Sequence, residues 1–467
     1  MFKFAPLGKV MNRTLDREVK LAVTGLRRSG KTVFITSLVH QLLHGLNSTH
    51  LPFFEVVNSG HLRGSKIMPQ PNLHIPAFPY HHAIAQLCHE YPNWPQATDG
   101  LSEIQLAIRY QSQGLLAKSL SSSSTLYLDI IDYPGEWLLD LPLLNWTYEQ
   151  WSAHITQLCQ TEPRYSLSEE WRNYLSTLAV NEGDIDPLQR DQFIRQGSQL
   201  YTAFLHCCKE DKYGLSLLQP GRFTMPGELK DTTLLEFYPT LSLPAAPIKV
   251  NSIYAEMKKR YDSYKEQVVQ KFYRQHFASF DRQIVLVDVL KALNTSYASY
   301  EDMREAINLV LHSFQYGKSG FLNKLFGLKI DGLLFATTKA DHVTPNQLPN
   351  LERFLQTMLA KSYNNVSFEG VKTTTLALAS IKSTQSAYTT FQGQRFSCIK
   401  GVPLDGDKPV ALFPGEVPYE GLLPEGWIDG RFNFISFKPP RLSDSHSSGL
   451  PHIRMDRALE FLLGDKF

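Results

Sequence analysis

Short apolar, β-branched runs recur along the chain at residues 19–24, 125–132, 283–289, 332–337 and 372–378. Continuous apolar runs of that length, bounded by turn residues, predict strands buried on both faces. Between them lie stretches with apolar residues at helical spacing. In 32–43 these are Phe34, Ile35, Leu38, Val39, Leu42 and Leu43, and 301–314 and 348–361 read the same way. Residues 103–110 alternate apolar and polar, the period of a strand with one wet face, and read as a hairpin partner of 125–132. Strands alternating with helices predict an α/β fold with a doubly wound sheet, whose ligands sit at the C-terminal strand ends.

Residues 137–280 break this alternation. Helical patterns dominate there, and Tyr254, Met257, Tyr261, Tyr264, Val268, Phe272 and His276 share one side of the last piece. That stripe reads as the core of a helical subdomain. Residues 51–57 read as a short strand, 383–440 as hairpins, 443–449 as a loop and 451–463 as an amphipathic helix. The predicted organisation is a core in two parts, 1–136 and 281–385. A large α-helical insertion, 137–280, lies between them, and hairpins and a helix, 386–467, pack on the core. At 467 residues the chain is too long for one simple core, which agrees with that division.

Composition narrows the function classes. A net charge of +2 and a pI near 8.1 lack the basic footprint of a nucleic-acid binder. The five cysteines are scattered without a CxxC pair, so they indicate neither a zinc site nor a disulfide framework and fit a reducing cytoplasm. Cys207 and Cys208 read as one buried and one half-exposed thiol. His74, His81, His82 and His89 offer no spacing that closes a metal ligand set. Residues 1–20 lack the apolar core of a signal peptide, and no window has the length of a membrane span.

The chemistry concentrates in three places. Gly25-Leu26-Arg27-Arg28-Ser29-Gly30-Lys31-Thr32 reads G-x-x-x-x-G-K-T between a strand and a helix, the context that a phosphate-binding loop requires. Gly25 and Gly30 allow the backbone to curl. The loop then offers the amides from Arg28 and Ser29 through Gly30, Lys31, Thr32 and Val33 to phosphate, aided by the helix dipole. Lys31 reaches the β- and γ-phosphates, and the Thr32 hydroxyl ligates Mg²⁺. Asp132-Tyr133-Pro134-Gly135 then closes an apolar strand. There Asp132 holds Mg²⁺ through water and the Gly135 amide meets the γ-phosphate. Finally, Thr338-Lys339-Ala340-Asp341 follows an apolar strand and matches N/T-K-x-D. A carboxylate at Asp341 accepts from both guanine N1–H and the exocyclic amine, whereas adenine would leave it unpaired, at a cost. Lys339 lies along the base and buttresses the loop. Ser380-Ile381-Lys382 follows the next strand, where the Ile381 amide can meet guanine O6.

This order resembles a Ras-type GTPase over 19–135 and 282–382, with Thr98 as the switch I threonine that closes on Mg²⁺ and the γ-phosphate. The whole chain resembles the bacterial YcjX family of P-loop NTPases. The resemblance rests on GLRRSGKT, WPQATDGLSEIQLAIRY, LYLDIIDYPGEWLLDLPLL, RFTMPGEL and PHIRMDRALEFLLGDKF. It implies a cytoplasmic, stress-linked GTP/GDP-binding protein, peripheral to the inner membrane through a membrane-protein partner. Departures from the Ras pattern bear on rate. Glu136 stands where a water-orienting Gln is usual, which predicts slow hydrolysis. Arg27 fits a built-in arginine finger, but with Arg28 it also fits a solvated pair lending positive potential. Binding of GTP is expected to order 90–100 and 133–145, and hydrolysis to release them. The alternative is an ATP-dependent P-loop enzyme, a small-molecule kinase or an ATPase.

Overall fold

Seven strands form one mixed sheet: β1 (Arg17–Gly25), β2 (Leu62–Ile67), β3 (Ser102–Gln111), β4 (Ser123–Asp132), β5 (Arg282–Val287), β6 (Gly332–Thr337) and β7 (Lys372–Ala377). Their order is β2-β3-β4-β1-β5-β6-β7. β4, β1, β5, β6 and β7 are mutually parallel, while β3 runs antiparallel to β4 and β2 to β3. In this computed structural model the described residues are 17–467 except 27, 46–48, 99, 112–122, 179–182, 184, 243–246, 320–329, 369–370, 392, 420–426, 428–431 and 443–448. The loop expected at 443–449 lies outside them but for Gly449.

The period of two along each strand sorts side chains into two cores. Leu21, Val23, Leu128, Ile130, Ile284 and Leu286 face one side, covered by α1 (Lys31–His44), α2 (Tyr80–Leu87) and the C-terminal helix. Ala22, Ile131, Val285, Val287, Leu333 and Phe335 face the other. There they share a single core with the helices between β4 and β5: α3 (Tyr148–Leu158), α4 (Glu169–Ser176), α5 (Pro187–Lys209) and α6 (Ile253–Tyr264). The same core takes in α7 (Val289–Thr295), α8 (Tyr297–Ser319) and α9 (Leu348–Phe368). The C-terminal helix is α10 (Met455–Leu463).

Local chemistry explains several helix ends. Thr147 and Gln150 form a reciprocal capping box at α3. Asp186 caps α5, whose first residue is Pro187. The stripe from Tyr254 to Phe272 is buried as core, with His276 only half-buried. A π-helical turn, Lys265–Val269, keeps Tyr264 and Val268 on the same buried side. Trp151 stacks on Tyr261 with ring centroids 5.2 Å apart. Two buried phenols find carbonyl partners: Tyr148 donates to the Tyr238 carbonyl at 2.9 Å and Tyr201 to the Gln219 carbonyl at 2.6 Å.

Two local expectations change. The strand expected in 51–57 is instead a helical turn, Glu55–Asn58. The carboxylates of α10 decide this: Asp456 accepts from the Phe53 amide and Glu460 from the Glu55 amide, so those donors are unavailable to a sheet. The strand that follows this turn, β2, at one edge of the sheet, has the polar sequence LRGSKI, without apolar alternation. β8 (Gln385–Phe391) and β9 (Gln394–Gly401) form the predicted hairpin, and β10 (Val410–Leu412) pairs with β9.

Candidate nucleotide site

β1 ends at Gly25 and α1 begins at Lys31. The turn between them needs left-handed backbone, found at Arg28 (φ 57°) and Gly30 (φ 83°). Glycine adopts that region without the Cβ penalty, and Arg28 is the exception. The loop is tied down where the Leu26 amide donates to the Leu286 carbonyl at 3.2 Å and the Ser29 amide to the Leu26 carbonyl at 3.1 Å. No side chain caps α1 and its first turn carries no acid, so its leading amides suit an anion. Thr32 is buried and Val33 half-buried at this helix start.

Asp132 lies at the end of β4, and β3 begins opposite it through the Ser102–Asp132 pair. That pairing brings the segment before β3 to the carboxylate, where the Thr98 hydroxyl donates to Asp132 Oδ2. Lys31 Nζ approaches Asp132 Oδ1 from the other side at 3.7 Å. Burial pushes the Asp132 carboxyl above its usual range, against opposing pulls from Lys31 and Thr98. Ser29 Oγ and Asp132 Oδ1 are buried without a hydrogen-bond partner among the described residues. Two such atoms beside an uncapped helix start fit a ligand that brings phosphate oxygens and a cation.

The turn after Asp132 packs directly on the loop. A Cβ on Gly135 would lie 2.4 Å from the Gly25 carbonyl oxygen. The next residue departs from the role its position suggests. The Glu136 carboxylate is buried and pairs with Lys209 Nζ of α5 at 3.1 Å. Its carbonyl is covered by Gly221, where an added Cβ would fall 1.9 Å away. Gly135–Asn145 forms a 3₁₀ run, buried from Gly135 through Leu143. The RFTMPGEL segment holds it: Asp140 accepts from the amides of Gly221 and Arg222, and Trp137 Nε1 donates to the Met225 carbonyl at 2.9 Å. Arg222 lies over the Trp137 ring and pairs with Glu228. Residues 133–143 are buried in this state, so release of 133–145 on hydrolysis would expose that apolar surface.

Charged residues link the loop to the Thr338-Lys339-Ala340-Asp341 motif. Arg28 pairs with Asp211, and Asp211 with Lys291 Nζ at 2.5 Å. Burial alone would raise the Asp211 carboxyl, but hydrogen bonds from Lys291 and Arg28 pull it down to about 2. Asp288 follows β5, caps α7 through the Lys291 amide at 3.1 Å and receives Lys339 Nζ at 2.5 Å. Thr338 is held to the Val287 carbonyl through its amide at 3.0 Å. Asp341 is buried, and its Oδ2 accepts from the Ser383 amide and hydroxyl, both at 2.7 Å, and from the Thr384 amide at 3.2 Å. The carboxylate that the guanine reading assigns to the base thus has Oδ2 bound within the protein by Ser383 and Thr384. Oδ1 lies 4.0 Å from His342 Nε2, whose pKa burial lowers.

The Ser380 carbonyl accepts from Ser37 of α1 at 2.6 Å, which ties the S-I-K turn to the phosphate helix. Ile381 is buried. The Lys382 amide donates to the Pro451 carbonyl at 2.8 Å, and its side chain lines a groove of about 590 Å³ with His50, Phe53, His452 and Arg457. Arg27 lies outside the described residues. His74, His81, His82 and His89 are exposed. Among the described residues no three His, Cys, Asp or Glu side chains group to hold a metal, and no helix is long and apolar enough to cross a membrane.

Sequence reasoning missed Lys209, Asp211, Asp288 and Ser383. Asp288 carried a usable signal, a lone carboxylate at the C-terminal end of an apolar strand. Lys209 and Asp211 carried none, because only the helical packing brings them to the loop.

The chain is similar to known proteins along nearly its whole length. A family model described as "YcjX-like family, DUF463" matches residues 19–467. A protein of Escherichia coli named Ras-like GTPase YcjX is 40% identical over 470 residues, covering 98% of each chain. One of Shewanella oneidensis with the same name is 41% identical over 477 residues, covering 98% of this chain and 96% of that protein. Similarity of this extent, together with a phosphate-loop architecture on a mixed seven-stranded α/β sheet, places the chain in the YcjX-like family.

Proposed function

We propose that this protein is a GTP-binding regulatory switch with slow, Mg²⁺-dependent hydrolysis, acting through a protein partner in a stress-linked role at the inner membrane. The carrying observation is convergence. The phosphate loop after β1, Asp132 with Thr98 after β4, Asp288 after β5 and Lys339 with Asp341 after β6 meet at the C-terminal ends of neighbouring parallel strands. The strand order and the succession of motifs support a Ras-like core, and the names of the relatives agree with it. In this reading the loop amides and Lys31 hold the phosphates, and the Gly135 amide meets the terminal one. Lys339, fixed by Asp288, flanks the base, which Asp341 reads, with a bound guanine competing with Ser383 for Oδ2. Thr32, Thr98 and Asp132 would hold Mg²⁺, which offsets phosphate charge when bound.

One observation favours the second reading. Asp341 Oδ2 is already satisfied within the protein, as it would be if TKAD were a structural turn in an ATP-dependent enzyme. Equilibrium binding of fluorescent GDP, competed by GTP, ATP and XTP on wild type and Asp341→Asn, separates the two. Guanine preference that moves toward xanthine in the variant is expected. Equal competition by ATP, unchanged in the variant, would leave the ATP-dependent reading.

A further inference from the structure

We infer that Lys209 is a positioning residue for triphosphate preference. By neutralising Glu136 at the rim of the phosphate loop, it allows a terminal phosphate to bind beside a buried carboxylate. The inference rests on the GTP-binding reading of the site. Gly135 packs on the Gly25 carbonyl, so the Glu136 backbone starts at the loop, in the turn that follows Asp132 of the Lys31–Asp132–Thr98 group. Its carboxylate and the Lys209 ammonium are both largely buried, at 8% and 12% side-chain exposure, and lie 3.1 Å apart. Glu136 has little freedom to swing away, since Gly221 covers its carbonyl and Asp140 pins the following run.

The end of α5 is anchored to the same loop. Two residues beyond Lys209, Asp211 pairs with Arg28 of the loop and with Lys291. The end of α5 is therefore fixed both to Glu136, through Lys209, and to the loop, through Asp211. A carboxylate in a water-poor setting repels added negative charge much more than one in bulk water. A diphosphate places less charge at this end of the loop than a triphosphate does. An unneutralised Glu136 would therefore penalise the triphosphate selectively, and Lys209 removes that penalty.

Titrations of the full chain with GDP and a non-hydrolysable GTP analogue test this. The proteins are wild type, Lys209→Met, Lys209→Arg, Glu136→Gln and the Lys209→Met, Glu136→Gln double variant. Lys209→Met should weaken the analogue roughly tenfold more than GDP, and Lys209→Arg should stay within about threefold of wild type. The double variant should regain most of the loss. Glu136→Gln alone, which leaves the ammonium in place, should raise the preference for the analogue. This last arm carries the test if Lys209→Met does not fold, as judged by its thermal transition. An analogue-to-GDP ratio that none of the variants moves overturns the inference while leaving nucleotide binding intact. A wild type that binds neither nucleotide defeats the GTP reading itself.

Discussion

Gly135 has no side chain because the Gly25 carbonyl occupies the space where one would go. The contact is with backbone on both sides, so an added methyl has no flexible neighbour to displace. Gly135→Ala should lift the turn from the phosphate loop and weaken a GTP analogue by more than about tenfold, with a smaller effect on GDP. Isothermal titration with both nucleotides measures this, and near-wild-type binding of the analogue would show that the turn is not seated on the loop. Most residues of the loop and of the Asp132 and Asp341 motifs were legible in sequence, because their chemistry depends on close spacing along the chain. Their partners were not. Lys209 lies far from Glu136 in sequence, and Ser383 is an ordinary serine until the turn after β7 brings it to Asp341.

The 3₁₀ run Gly135–Asn145 is the element on which the site and the helices meet. Of its two buried acids, Glu136 pairs with Lys209, and Asp140 accepts from the Gly221 and Arg222 amides and, at 2.6 Å, from the Tyr264 hydroxyl. Burial nevertheless dominates and raises its pKa from 3.8 to about 6. An acid whose folded pKa is raised favours the folded state at low pH and loses that contribution as pH climbs through the folded value. Relative to Asp140→Asn, the wild type should therefore lose stability between about pH 4 and pH 6 and show a constant difference above pH 7. Denaturant midpoints of both proteins across that range check the sign. A difference that grows in favour of wild type over the same interval would mean the hydrogen bonds outweigh burial. Sequence reading could not place this element. LLDLPLL is apolar at almost every position, so it has no periodicity to choose between strand and helix, and Pro142 and packing on both sides select the tighter 3₁₀ form.

At the scale of the whole molecule, the helices between β4 and β5 share one core with a face of the sheet. A shift of the loop after β1 would therefore reach them through packed contacts. The Glu136–Lys209 pair, the Gly221 contact and the Arg28–Asp211 pair all connect the loop to α5 or to the segment after it. Hydrogen exchange of the GDP and GTP-analogue states should differ at the end of α5 and around Gly221, while amides in 135–143 stay protected in both. No difference anywhere in 137–280 would show that the helical block does not sense the bound nucleotide.

The sequence by itself determined the alternation of strands and helices, the phosphate loop and the succession of motifs at strand ends. Each of these is written in local spacing, period or turn chemistry, and the resemblance to the YcjX family extends along most of the chain. Only the tertiary structure decided that residues 51–57 are not a strand, that Asp341 is held by Ser383 and Thr384, and that Asp288 fixes Lys339. It alone brought the end of α5 to the phosphate loop. These features depend on groups far apart in the chain satisfying one another's charge and hydrogen bonds, and no local pattern records which distant partner a buried polar group will meet.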